Sequence, residues 1–151
     1  MEIYGCEMYK TLFSILGLSF FLVSCVNNNS LKNKVDIQEF SKLVFNGYQY
    51  EYKPGIVKSS AEMSNIVISK STMSKSDFIN VEKKIIQNGW VKKYDYQGFN
   101  VYCYGVYNKL GVLYPEKMEY FDKDGGAIKI SNFNNWLIYY AYSNSGVDGC
   151  D

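Results

Sequence analysis

The stretch "WVKKYDYQGFNVYCYGVY", Trp90 to Tyr107, decides the fold. Two runs rich in aromatic and β-branched residues flank Gln97-Gly98, a pair with the turn chemistry of a hairpin. Period-two spacing puts Tyr94 with Tyr96 on one strand face, and Tyr102 with Tyr104 on another. Downstream the same grammar repeats. Segments around "KMEYFD", "AIKIS" and "WLIYYAYS" read as strands, the last placing Tyr140 and Tyr142 together. Turns are expected at Asn108 to Gly111, Asp122 to Gly126, and Asn132 to Asn135. Successive strands joined by such short turns predict an antiparallel meander.

Upstream of Trp90 the period changes. Ser74 is placed to cap a helix with Asp77 at its third position, and Phe78, Val81, Ile85 and Ile86 form an apolar stripe. Asn88-Gly89 supplies the stop. Asp36 and Glu39 have the spacing of a capping box ahead of Phe40, Leu43 and Val44, which predicts a short helix to about Phe45. A hairpin through "KLVFNGYQY" is the alternative there. "YQYEYK" alternates, so Tyr48, Tyr50 and Tyr52 share a face, until Pro54-Gly55 breaks the strand; "NIVISK" gives another. The expected fold class is α+β: an antiparallel sheet meander with one or two helices packed on one face.

Composition narrows function. The 151 residues carry 47% hydrophobic and 17% aromatic side chains, enough for one globular domain. All basic residues are lysine, net charge is +1, and no basic run exceeds the pairs Lys83-Lys84 and Lys92-Lys93. Without arginine forks or a basic stripe, no nucleic-acid partner is expected. Histidine is absent, which removes Ser-His-Asp and Cys-His catalysis and His-containing zinc sites. No cofactor is expected.

The amino terminus carries a different signal. Leu12 to Leu22 reads "LFSILGLSFFL", uncharged, and too short to cross a bilayer even if extended to Val26, since a spanning helix needs about 20 residues. A run of this length after a lysine fits the apolar region of a secretory signal. Its end, Leu22-Val23-Ser24-Cys25, resembles the lipobox of bacterial lipoproteins, in which a small residue precedes an invariant cysteine. The resemblance covers Met8 to Cys25 alone. It implies that Cys25 receives a diacylglyceryl group by thioether linkage. A lipoprotein signal peptidase then cuts between Ser24 and Cys25, and the new amine is acylated.

Several acyl chains on one residue hold a soluble domain firmly at a membrane, whereas one chain anchors only marginally. In lipoproteins of enterobacterial type an aspartate after the cysteine favours the inner membrane. Val26 therefore points to the periplasmic face of the outer membrane. A signal anchor or buried core helix is the alternative. Glu2 and Glu7 precede the apolar run where a basic region is expected, so Met8 is the expected start, with Lys10 in the basic region and Cys6 outside the protein. Three segments follow: a signal peptide over 1–24, a lipidated flexible tether over 25–34 and an α+β domain over 35–151.

Two cysteines remain in an exported chain, Cys103 and Cys150, and permit one intramolecular disulfide. Free or intermolecularly paired thiols are the alternative. The fifteen tyrosines of the whole chain are its most unusual compositional feature. Tyrosine suits a half-buried pleated surface without further purpose, and it also builds binding platforms. Tyr48, Tyr50 and Tyr52 are the candidate binding surface.

Other constellations are weak. "DKDGG", Asp122 to Gly126, lacks the oxygen ligands of a calcium loop and reads as a hairpin turn. Glu116, Glu119, Asp122 and Asp124 have no spacing that argues for a shared hydrolytic cleft. "TMSK", Thr72 to Lys75, falls short of a Ser-x-x-Lys acylating motif. The expected function is therefore non-enzymatic: a lipid-anchored envelope protein that binds another protein. Immunity-type lipoproteins and accessory subunits of envelope assembly machines are two versions of that reading. A cell-wall glycan binder or hydrolase acting through tyrosines and carboxylates is the alternative.

Overall fold

The structure, a computed structural model, describes residues 34–122 and 124–151. The lipobox, Cys25 and most of the expected tether lie outside the described residues. The first element, α1 (Ile37–Val44), starts where Asp36 accepts hydrogen bonds from the Gln38 and Glu39 amides, each at 3.1 Å. One half of the expected capping box is present. Glu39 turns away from the cap and pairs with Lys42 at 2.6 Å.

The edge strand β1 (Tyr50–Val57) pairs with β2 (Ala61–Ser69). Pro54-Gly55 does not end β1, contrary to the sequence expectation. Proline is tolerated on an edge strand because its missing amide faces outward. The register shift between Pro54 and Val57 absorbs the distortion.

Next comes α2 (Lys75–Gln87), with a full capping box. Ser74 accepts from the Asp77 amide at 3.2 Å, and Asp77 accepts from the Ser74 amide at 2.8 Å. Phe78, Val81 and Ile85 are buried; Ile86 is 50% exposed and does not belong to the stripe. Gly89, at φ +85°, closes the helix as the sequence predicts.

A meander of β3 (Val91–Tyr96), β4 (Phe99–Tyr104) and β5 (Asn108–Leu113) follows. Here the sequence expectation is corrected: Asn108 to Gly111 is strand, and the turn lies just before it, at residues 105–107. Asn108 is fully buried and its side chain bridges elements: Oδ1 accepts from the Val35 amide at 3.0 Å and from the Tyr140 hydroxyl at 2.8 Å. Nδ2 donates to the Tyr104 carbonyl at 3.1 Å. An amide buried without such partners would cost about 1–3 kcal/mol.

The short strands β6 (Glu119–Phe121) and β7 (Ala127–Lys129) form a separate hairpin, and β8 (Asn135–Ser143) completes the main sheet. The six-stranded order is β1-β2-β8-β5-β4-β3, with every pairing antiparallel. The fold is thus α+β, an antiparallel sheet with a meander and two helices. The last strand occupies the centre because its sequence suits burial on both sides. Trp136, Ile138, Tyr140 and Tyr142 face the helices in one large core with Phe40, Val44, Phe78, Val81 and Ile85. The alternate residues Leu137 and Tyr139 pack on the opposite face with Phe99, Leu113, Tyr120 and Ile130.

Candidate binding cleft

On that opposite face the sheet carries two partial covers, the β6–β7 hairpin and the C-terminal tail. Each is tied down locally. Tyr120 meets Phe99 edge-on with ring centroids 6.0 Å apart, and its hydroxyl accepts from the Glu116 amide at 2.6 Å. Gln97 Oε1, at the tip of the β3–β4 hairpin, accepts from Lys117 Nζ at 3.0 Å and from the Phe121 amide at 3.5 Å.

The tail is held by the sulfurs of Cys103 and Cys150, which lie at disulfide distance with Cα atoms 5.6 Å apart. The Val147 amide donates to the Val106 carbonyl at 2.9 Å, and Lys109 Nζ donates to the Asp148 carbonyl at 2.9 Å.

Between the covers lies a cleft of about 240 Å³. Its floor is Phe99 and Val101 of β4 with Tyr139 of β8, and one wall is Tyr94 and Tyr96 of β3. The register shift between Lys92 and Tyr94 brings those two tyrosines onto the same face as Val101 and Phe99. Phe121 and Ile128 of the hairpin form the facing wall. Tyr96 and Phe121 are each 40% exposed.

The tyrosine at the floor owes its position to a glycine. A Cβ at Gly111 would fall inside the ring of Tyr139, so only a residue without a side chain lets that ring cross β5. Burial, with a smaller contribution from Tyr94, pushes the Tyr139 hydroxyl up to about 12. It therefore stays protonated, and able to donate a hydrogen bond, at every physiological pH.

Asp122, Asp124, Asp148 and Lys109 complete the lining. All three aspartates are exposed. Asp122 is fixed by its own turn, its Oδ1 accepting from the Asp124 amide at 3.0 Å and the Gly126 amide at 2.6 Å. "DKDGG" is accordingly a hairpin turn. Among the described residues no group of three or more His, Cys, Asp or Glu is placed to hold a metal ion.

The other sequence candidates are scattered. Tyr48, Tyr50 and Tyr52 are half-buried against the helix-side core. Tyr50 packs near Phe45, with ring centroids 6.1 Å apart, and Tyr52 donates to buried Glu62 at 3.2 Å. Tyr102 also faces the helices. It donates to Glu82 at 2.7 Å, and burial followed by that carboxylate drives its own ionisation far above the ordinary range. Burial opposes ionisation of Glu82, but hydrogen bonds from Tyr102 and Lys92 outweigh it and hold the carboxyl below its usual value.

Glu116 pairs with Lys75 at 2.6 Å, and Thr72 donates to the Ser69 carbonyl at 2.9 Å; neither lines the cleft. Of the tyrosine pairs read from sequence, Tyr94 with Tyr96 is the one that reaches the cleft. Asp122 and Asp124 reach it as well. Sequence reasoning missed Phe99, Tyr139 and Asp148 as parts of one site. The signal that could have found them is the strand period, which sets Phe99 and Val101 on the face of Cys103, and the Cys150 partner, two residues from Asp148. No family model matches the chain, and no curated protein or solved structure matches it.

Proposed function

We propose that this chain is a lipid-anchored cell-envelope protein whose domain is a non-catalytic module for binding another protein. The cleft carries this reading: a recess lined by Tyr94, Tyr96, Phe99, Phe121 and Tyr139, with Tyr96 and Phe121 partly exposed. Aromatic rings give contact area at little entropic cost, and tyrosine anchors interfaces well. Acid catalysis on a glycan asks for a carboxyl group in an apolar setting. The cleft's three aspartates are all exposed, which favours binding over such chemistry.

Envelope location rests on the lipobox resemblance at Leu22 to Cys25, and the outer membrane on Val26. The test places a photo-crosslinking phenylalanine analogue at Tyr96 in the native membrane. One protein should be captured in a discrete adduct, and the adduct should disappear when Phe121 on the facing wall is changed to alanine. Retention on purified peptidoglycan with no protein adduct would replace this reading by the glycan-binding one.

A further inference from the structure

One end of the main sheet gathers both the chain's entry and the tip of the β1–β2 hairpin. Asn108, which binds the Val35 amide, pairs with Tyr142 across β5 and β8, and Ala61 of β2 pairs with Ser143. The hairpin closes at that same end. There the Lys58 amide donates to the Ala61 carbonyl at 2.8 Å, and the Asn144 amide to the Ser60 carbonyl at 3.0 Å. Lys34, the first described residue, pairs with Glu62, and Glu62 is the register partner of Val57.

We infer that this hairpin tip rests on the bilayer, with Ile56 and Val57 entering its interfacial layer; the inference rests on the proposed acylation of Cys25. Ile56 is 52% exposed and Val57 57%. Val106, in the neighbouring β4–β5 turn, is another exposed apolar side chain at this end. Lys58 follows Val57 directly and is exposed, a cation suited to anionic headgroups. The two carboxylates that line the recess beside the tip are both engaged, Asp36 in capping α1 and Glu62 with Lys34. Pairing with a second copy is disfavoured, because Pro54 and the register shift after it blunt β1 as a template for another strand.

The length of chain ahead of the domain selects the bilayer as the occupant. Nine residue steps separate Cys25 from Lys34, a reach of at most roughly 30 Å. Strand β8 has nine residues, which also span about 30 Å. Bringing the far end of the sheet, Ser69 and Asn135, to the membrane would need the tether fully extended beside the whole of β8. The entry end needs no such extension, and the tip lies there. So small an apolar surface would not hold a protein at a membrane alone; it orients a domain that acyl chains already hold.

The experiment adds one reporter tryptophan to the full acylated chain in vesicles of phosphatidylethanolamine and phosphatidylglycerol. Emission is compared with and without lipid brominated in its acyl chains, which quenches indole on contact. Trp90 and Trp136 are only 2% and 3% exposed and give a background the lipid does not reach. Val57→Trp should lose most of its added emission, and Ile56→Trp likewise. Ser71→Trp, just beyond β2 at the far end, should keep it. An unchanged urea midpoint shows that each variant is folded.

Equal losses at 57 and 71, or emission retained at both 56 and 57, would overturn the inference. Retention with a blue shift that grows with protein concentration assigns the tip to a second copy instead. Labelled fatty acid found in the same preparation leaves the anchor standing in each of those cases. A preparation that incorporates no fatty acid ends the anchor reading and this inference together.

Discussion

A methyl group at Gly111 has no room, because the Tyr139 ring lies directly over that position. Cβ and ring cannot both keep their places, and the ring is packed against the cluster of Phe99, Leu113, Tyr120 and Ile130. Gly111→Ala is therefore expected to displace Tyr139 from the cleft floor and to destabilise the domain by about 1–3 kcal/mol, the usual scale for overpacking. Urea denaturation followed by tryptophan fluorescence reads the stability. The Tyr139 amide signal, with alkaline titration of tyrosine absorbance, reads the displacement. A ring freed from burial ionises below its native value of about 12. An unchanged urea midpoint and an unchanged tyrosine titration would show that the ring does not depend on this glycine. Asn108, three residues earlier, is the polar counterpart: its amide exists to join Val35, Tyr104 and Tyr140.

At the scale of elements, the cleft is a product of two covers rather than of the sheet beneath them. The tail cover depends on the Cys103–Cys150 link, whose sequence separation is 47. Closing a loop of that size restricts the unfolded chain by ~4 kcal/mol in the entropy picture. Cys103→Ser with Cys150→Ser should lower the denaturation midpoint by a corresponding amount and release Asp148 from the rim. Native protein should resist thiol alkylation without reductant, since both sulfurs belong to residues only 2% exposed. Ready alkylation of Cys103 or Cys150 in the unreduced native protein would show that the link is absent.

These elements were unequally legible in the sequence. The α2 cap at Ser74, the Gly89 stop and the Gln97-Gly98 hairpin are decided by neighbours within a few residues, so local pattern reveals them. Asn108 to Gly111 reads locally as a turn and folds as part of a central strand. Its asparagine and glycine serve partners in β8 and before α1, which no local window contains. The cleft is harder still to read, because Tyr96, Phe121, Tyr139 and Asp148 lie on four separate segments. The tyrosines that alternate most plainly, Tyr48, Tyr50 and Tyr52, pack half-buried against the helix-side core, which is the burial their periodicity reports.

For the whole molecule, the question is how the domain meets the membrane under the proposed acylation of Cys25. The chain enters the domain at a stitched point: Lys34 Nζ lies 2.6 Å from buried Glu62, and the Val35 amide is bound by Asn108. The next residue of β5, Lys109, points to the opposite face and reaches the cleft's tail-side rim. Attachment point and binding cleft are therefore close together through the sheet. Covalent geometry caps the reach of residues 26–33 at roughly 3.3–3.6 Å each, so the cleft would work near the bilayer surface.

Anchor and domain should accordingly be separable by one substitution. Cys25→Ala is expected to abolish incorporation of labelled fatty acid and to move the protein from the membrane pellet to the soluble fraction. The same variant should keep the urea midpoint of the acylated protein, because the Lys34–Glu62 and Val35–Asn108 contacts that pin the chain's entry do not use the Cys25 side chain. Acyl labelling that persists in the variant would refute the lipobox assignment. A fall in the midpoint would instead place part of the domain's stability upstream of Lys34.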